Sequence, residues 1–179
     1  MVTYNGIFEN KGFVLGKSDF VSVSPETLYA SLPETVSSNF IVPAIEAEDS
    51  IPIVIENYLK HYNSPLLSFK DDIVKIAREN NVNPRLIVAI AQQESNLGKS
   101  SPEGCNNAWG WGIHARGTTC FENWKEAISV VTKGIAKNYC SKGLCDDPCE
   151  MMKKYTPKSN GSWCRGVNQF LTELETGNF

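Results

Sequence analysis

Two histidines in 179 residues argue against a histidine-ligated metal centre, and no metal or other cofactor is expected. Lysine and arginine form no run interleaved with aromatics, and the net charge is −3, so the footprint of a nucleic-acid binder is missing. No apolar stretch approaches the roughly 18 residues that a membrane-spanning helix needs. The opening Val2-Thr3-Tyr4-Asn5-Gly6 has no basic region followed by an apolar run, so no signal peptide is expected within this chain. Cysteine is absent before Cys105, and none of the six cysteines forms a Cys-x-x-Cys pair. The set Cys140, Cys145, Cys149 and Cys164 therefore lacks the usual spacing of a zinc site. An even, clustered count instead predicts three disulfides and a secreted or cell-wall-associated protein. Cys105 and Cys120 bracket two tryptophans and are the preferred local pair; the spacing does not choose the others.

What is present fits one modest globular domain, since 41% hydrophobic content over this length can bury a core. Residues 1–55 read as an irregular arm or linker. A short hairpin over Tyr4–Phe8 and Gly12–Gly16 is followed by serines and prolines that interrupt any long element. Residues 56–179 read as a mainly α-helical domain, with helical signals already gathering from Ile51. Ser68 with Asp71 three residues on predicts a helix start, and Asn83-Pro84 is an N-cap and first-turn pair. Trp124, Ala127, Ile128, Val131, Ile135 and Tyr139 recur at helical spacing and are expected in the core. Asp147-Pro148-Cys149-Glu150 opens a short helix, and Ser162 precedes one bearing Val167, Phe170, Leu171 and Leu174.

The chemistry gathers at residues 91–113. Glu94 ends the most apolar stretch of the chain, Leu86–Ala91, and helical spacing puts Ile87, Ile90 and Ala91 on its own face. A carboxyl in such a place is partly desolvated, which disfavours its charged form and suits it to donate a proton to a leaving-group oxygen. Gly98 can end the helix in a left-handed conformation. Pro102, Gly104 and Asn106-Asn107 then form a turn-rich loop that returns Trp109 and Trp111 toward the carboxylate. Aromatic faces of this kind stack on sugar rings, and Trp109 either does so or plugs the cleft floor as core. His114 is either a substrate contact or a structural residue of a glycine-rich turn. Trp163, opening an amphipathic helix, reads as core.

Glu94-Ser95-x-x-Gly98-Lys99-Ser100, followed by Asn106-Asn107-x-aromatic-Gly110 and a nearby Ile113, resembles the glucosaminidase family of peptidoglycan hydrolases, in the lysozyme-like superfamily. The likeness extends through Phe121-x-Asn-Trp124, Tyr155-Thr156-Pro157 and Gly166-Val167-Asn168-Gln169-Phe170, about residues 57–175. One departure is the extra Trp111-Gly112, where the family commonly runs Asn-Asn-Leu-Phe-Gly-Ile. The resemblance implies a lysozyme-like fold, a bacterial cell-wall glycan as partner, Glu94 as the acid and Tyr155 across the cleft as a second catalytic residue. It implies Asn107, Trp109, Trp111 and His114 as substrate contacts. Which β-1,4 bond is cut stays open, since glucosaminidases, muramidases and lytic transglycosylases place a glutamate here. Glu103 and Glu122 are candidate bases. A silent glycan-binding module is the rival reading, a monomer is expected, and the mildly acidic composition predicts recognition by aromatic stacking and not by charge, with binding that tolerates salt.

Overall fold

The structure is a computed structural model and describes residues 50–112 and 119–179, which belong to one compact unit. The expected hairpin, the expected arm over residues 1–49, and His114 lie outside the described residues. Six α-helices run in chain order: α1 (Ile51–His61), α2 (Lys70–Glu79), α3 (Pro84–Ser95), α4 (Trp124–Asn138), α5 (Pro148–Tyr155) and α6 (Ser162–Thr176). Short 3-10 turns occupy Pro65–Phe69 and Cys140–Lys142, and the described residues contain no strand. The mainly α fold class is thus as the sequence predicts.

Side-chain caps explain three of the six helix starts, those of α3, α4 and α5. Asn83 Oδ1 accepts from the Arg85 N–H at 3.0 Å, Asn123 Oδ1 from Glu126 at 2.9 Å, and Asp147 Oδ1 from Cys149 at 2.7 Å. Each satisfies an amide that a helix N-terminus leaves without a partner. Two expectations need correction. Ser68 does not open α2: Ser64 and Pro65 start a 3-10 turn first, with Ser64 Oγ accepting from Leu66 N–H at 3.0 Å, and this turn carries the chain past Ser68. The boundary at residue 55 is also too late, because it would cut α1, whose Ile55 is fully buried with Tyr58 and Leu59.

The core sits around α3. Every residue from Leu86 to Ala91 is buried, so this helix is covered on all sides along its middle, with α1, α2 and α6 packed on it. α4 covers α2, and α5 lies on α6. The apolar run read from the sequence is therefore the spine of the domain, and its last turn delivers Glu94 to the rim. No helix among the described residues is long and apolar enough to cross a membrane.

Candidate active site

Glu94 stands in the last turn of α3, where α6 crosses close by. Gly166 of α6 faces the tip of the Gln93 side chain, which would have to shift to admit a Cβ. One turn earlier on α6, Trp163 directs its indole N–H at Glu94 and donates to Oε1 at 2.6 Å. Two forces act on the carboxyl in opposite directions. Burial raises its pKa above the usual glutamate value, and the Trp163 hydrogen bond lowers it; burial is the larger. The result is an oriented carboxyl that holds its proton to higher pH than a solvated one.

The backbone after Glu94 turns back with three successive left-handed residues: Asn96 (φ 52°), Leu97 (φ 58°) and Gly98 (φ 87°). Asn96 is the cap, so the helix ends two residues before the expected Gly98. Gly98 is needed for space as well as conformation, because a Cβ there would meet the Trp124 ring at 2.9 Å. A left-handed leucine costs about 1–2 kcal/mol, and the surroundings hold it in place. Leu97 is fully buried, its N–H donates to Ala91 O at 3.0 Å, and its carbonyl accepts from Ser64 Oγ at 2.9 Å. Ser95 completes the turn: its buried hydroxyl donates to Ala108 O at 2.8 Å and accepts from Gly98 N–H at 2.8 Å. One side chain thereby fastens the helix end to the tryptophan loop.

That loop is closed by a disulfide between Cys105 and Cys120, the pair preferred from the sequence. Asn107 holds it from inside. Its amide nitrogen donates to the carbonyls of Trp111 and Thr119, both at 2.8 Å, and its Oδ1 accepts from the N–H groups of Trp109 at 3.3 Å and Trp111 at 3.0 Å. All four hydrogen-bonding positions of the amide are occupied and the residue is buried. Asn107 therefore shapes the loop and has no group left for a substrate, which corrects its expected role. Trp109 is a second correction: its ring is 0% exposed and its indole N–H donates to Ile87 O at 2.9 Å, so it is core and offers no face to a sugar. Trp111 is half-buried, with its ring lying over Gly134 of α4, where a Cβ would collide with it. Gly134 is mid-helix, a costly place for glycine; the approach of this ring accounts for it.

Tyr155, at the end of α5, joins these parts. Its ring stacks on Trp163 at 5.1 Å with 27° between planes, and approaches Tyr139 at 5.6 Å and Trp111 at 6.3 Å. Its hydroxyl donates to Trp109 O at 2.7 Å. Burial, then the charges of Glu94 and Tyr139, push the phenol well above its usual pKa, so it is a neutral donor fixed on a backbone carbonyl. The structure thus links Tyr155 to Glu94 through Trp163, with the phenol proton already engaged. The remaining disulfides, Cys140–Cys145 and Cys149–Cys164, brace this cluster. Tyr139 precedes Cys140, Trp163 precedes Cys164, and the second bond ties the first turns of α5 and α6 together.

Glu103 and Glu122 are both exposed, and neither contributes to the pKa of Glu94, which burial and Trp163 set. Among the described residues no group of histidine, cysteine or acidic side chains is arranged to hold a metal. The residue that sequence reasoning missed as part of the site is Trp163. Its ring is buried as expected, yet its N–H is the partner of Glu94; a tryptophan placed three residues before Gly166, on the same helical face, was the available signal. Comparison of the chain with protein-family models, with curated proteins and with solved structures found no match in any of the three.

Proposed function

We propose that the chain is a glycoside hydrolase that cleaves β-1,4 bonds in the N-acetylated glycan of bacterial cell walls, with Glu94 as general acid. The observation that carries this reading is the Glu94 carboxyl itself: partly withdrawn from water, raised in pKa by that burial and aimed by the Trp163 N–H at 2.6 Å. Such a group protonates a glycosidic oxygen as the bond to the anomeric carbon breaks. Trp111, half-buried and linked to Glu94 only through the rings of Tyr155 and Trp163, offers an aromatic face for a sugar ring. Three disulfides suit a protein that works outside the cell.

Retaining and inverting glycosidases ordinarily use two carboxylates. Among the described residues no second carboxylate acts on Glu94, so beside attack by water a route with one acid is open, in which the substrate supplies the nucleophile. Attack by the N-acetyl carbonyl oxygen on the anomeric carbon would give a ring-fused intermediate that water opens. Attack by the sugar's own 6-hydroxyl would leave an anhydro sugar, the lytic transglycosylase outcome. In either case the departing oxygen leaves with the Glu94 proton, and the Glu94 carboxylate then takes up the proton released by the water that opens the ring or by the attacking 6-hydroxyl.

The test is clearance of purified cell walls in a gel, comparing wild type with Glu94→Gln, which keeps the shape and removes the donatable proton. General-acid catalysis contributes about 10²–10⁴ in rate, and a loss of that order is expected. Residual activity within a few-fold of wild type overturns the assignment. Mass spectrometry of the released fragments reads the bond: reducing-end GlcNAc for a glucosaminidase, reducing-end MurNAc for a muramidase, 1,6-anhydro-MurNAc for a transglycosylase. Wild type that binds walls and releases nothing would be a glycan-binding module.

A further inference from the structure

A cleft of about 300 Å³ is lined by Trp111, Tyr139 and Tyr155 together with Gly110, Gly112 and Asn138. Its remaining wall carries a charge. Lys154 Nζ donates to Asn138 O at 2.8 Å and lies 4.8 Å from the centroid of the Tyr139 ring, so the ammonium is fixed at the cleft edge with further N–H groups unspent. A second ammonium, Lys142, stands beside it. Among the described residues neither forms an ion pair with a carboxylate, a state that most of the described lysines share. Loss of water, then the contact with and charge of Lys142, hold Lys154 below the usual lysine pKa. An anion arriving in the cleft would offset the repulsion between the two ammonium groups.

We propose that this cleft is a subsite for a carboxylate-bearing sugar, whose ring lies on the Trp111 and Tyr155 faces and whose acid group pairs with Lys154, supported by Lys142. The inference rests on the reading of the chain as a wall-glycan hydrolase and adds its specificity. A neutral polymer of N-acetylglucosamine fills the aromatic wall and leaves the two ammonium groups unpaired; a glycan with an acid on alternate sugars, or on a peptide attached to them, satisfies both. The absence of side chains at Gly110 and Gly112 lets a ring approach the loop backbone. Recognition here is partly by charge, beyond the stacking that composition alone predicts.

The test measures binding by calorimetry, at low and high salt, in the Glu94→Gln background so that no probe is turned over. Three probes of equal sugar length are compared: a chitin tetrasaccharide, a peptide-free GlcNAc-MurNAc tetrasaccharide with its lactyl acids free, and the same glycan bearing peptides. At least one acidic probe is expected to bind about five-fold or more tighter than chitin at low salt, as befits one exposed ion pair. The stronger acidic probe identifies whether the sugar or the peptide supplies the carboxylate. Lys154→Gln is expected to erase the preference and leave chitin binding within about two-fold. A preference that survives Lys154→Gln, or equal binding of all three probes, overturns the subsite even where wild type clears walls. A preference lost in Lys154→Gln supports the subsite even if wild type clears no walls, an outcome that counts against the hydrolase reading alone. Failure of every probe to bind overturns the subsite together with that reading.

Discussion

Trp163→Phe isolates the one hydrogen bond that opposes burial at Glu94. The indole N–H donates to Oε1 at 2.6 Å and lowers the carboxyl pKa, while the ring itself stacks on Tyr155 at 5.1 Å. Phenylalanine keeps most of the stack and removes the donor. A hydrogen bond to a charged partner is worth about 1.5–3 kcal/mol, and the lower figure applies here because Glu94 retains some access to water. Loss of about 1.5 kcal/mol from the charged form changes the ionisation constant roughly tenfold. The bond favours the carboxylate, so its removal raises the pKa further. The alkaline limb of the pH–rate profile, where a required acid ionises, is then expected to move upward by about one pH unit. Lower maximal activity is expected beside this shift, because the carboxyl loses its aim. Where activity is too low to profile, carbon-13 NMR titration of the glutamate carboxyls reports the same movement. An alkaline limb that stays in place, or moves down, refutes the claim that Trp163 tunes Glu94.

Glu94 also predicts how stability depends on pH. Its folded-state pKa lies above the unfolded value, so its contribution is fully present below the unfolded pKa and is lost as pH rises through the folded one; Glu94→Gln should therefore melt higher than wild type at neutral pH, with the gap closing in acid. Ser95→Ala orphans two buried backbone groups, Ala108 C=O and Gly98 N–H, at about 1–3 kcal/mol each, so urea denaturation should show a loss of about 2–5 kcal/mol. A loss under 1 kcal/mol would mean that the turn does not depend on this hydroxyl. Replacing Cys105 and Cys120 together with serine opens a 15-residue closure, expected to cost about 3 kcal/mol; thiol titration of denatured, unreduced wild type should find no free thiols.

Helix positions were legible wherever one local rule sufficed. Asn83-Pro84 and Asp147-Pro148 act as caps because capping depends only on a side chain and the next few amides. Ser68 misled because Ser64-Pro65 offers the same signal four residues earlier, and a chain already turning at Pro65 reaches Lys70 without using it. The tryptophans divide for a similar reason. Trp109 and Trp111 are two residues apart in a glycine-rich loop, and nothing local says which faces inward; the Ile87 carbonyl, supplied by a distant helix, decides for Trp109. Asn107 was legible as a loop residue, but its saturation by four backbone groups appears only in three dimensions.

Why Glu94 remains where burial disfavours its charge follows from what stands around it. The carboxyl ends the most buried helix, the next three residues but one adopt left-handed conformations, and the buried Ser95 between them is committed to two backbone groups. Strain of this kind persists only where the surroundings over-determine it. They do so here: a disulfide closes the loop that Ser95 reaches, and the Tyr155 hydroxyl pins that loop to α5 through Trp109. A second disulfide ties α5 to α6 beside Trp163, which returns to Glu94. The chain of contacts from Glu94 through Ser95, the loop, Tyr155 and Trp163 thus closes on itself. A helix end with no task could relax by ending one turn earlier and solvating its acid. A carboxyl held in a closed ring of contacts would keep its position as its proton leaves and returns, as the proposed role of Glu94 requires.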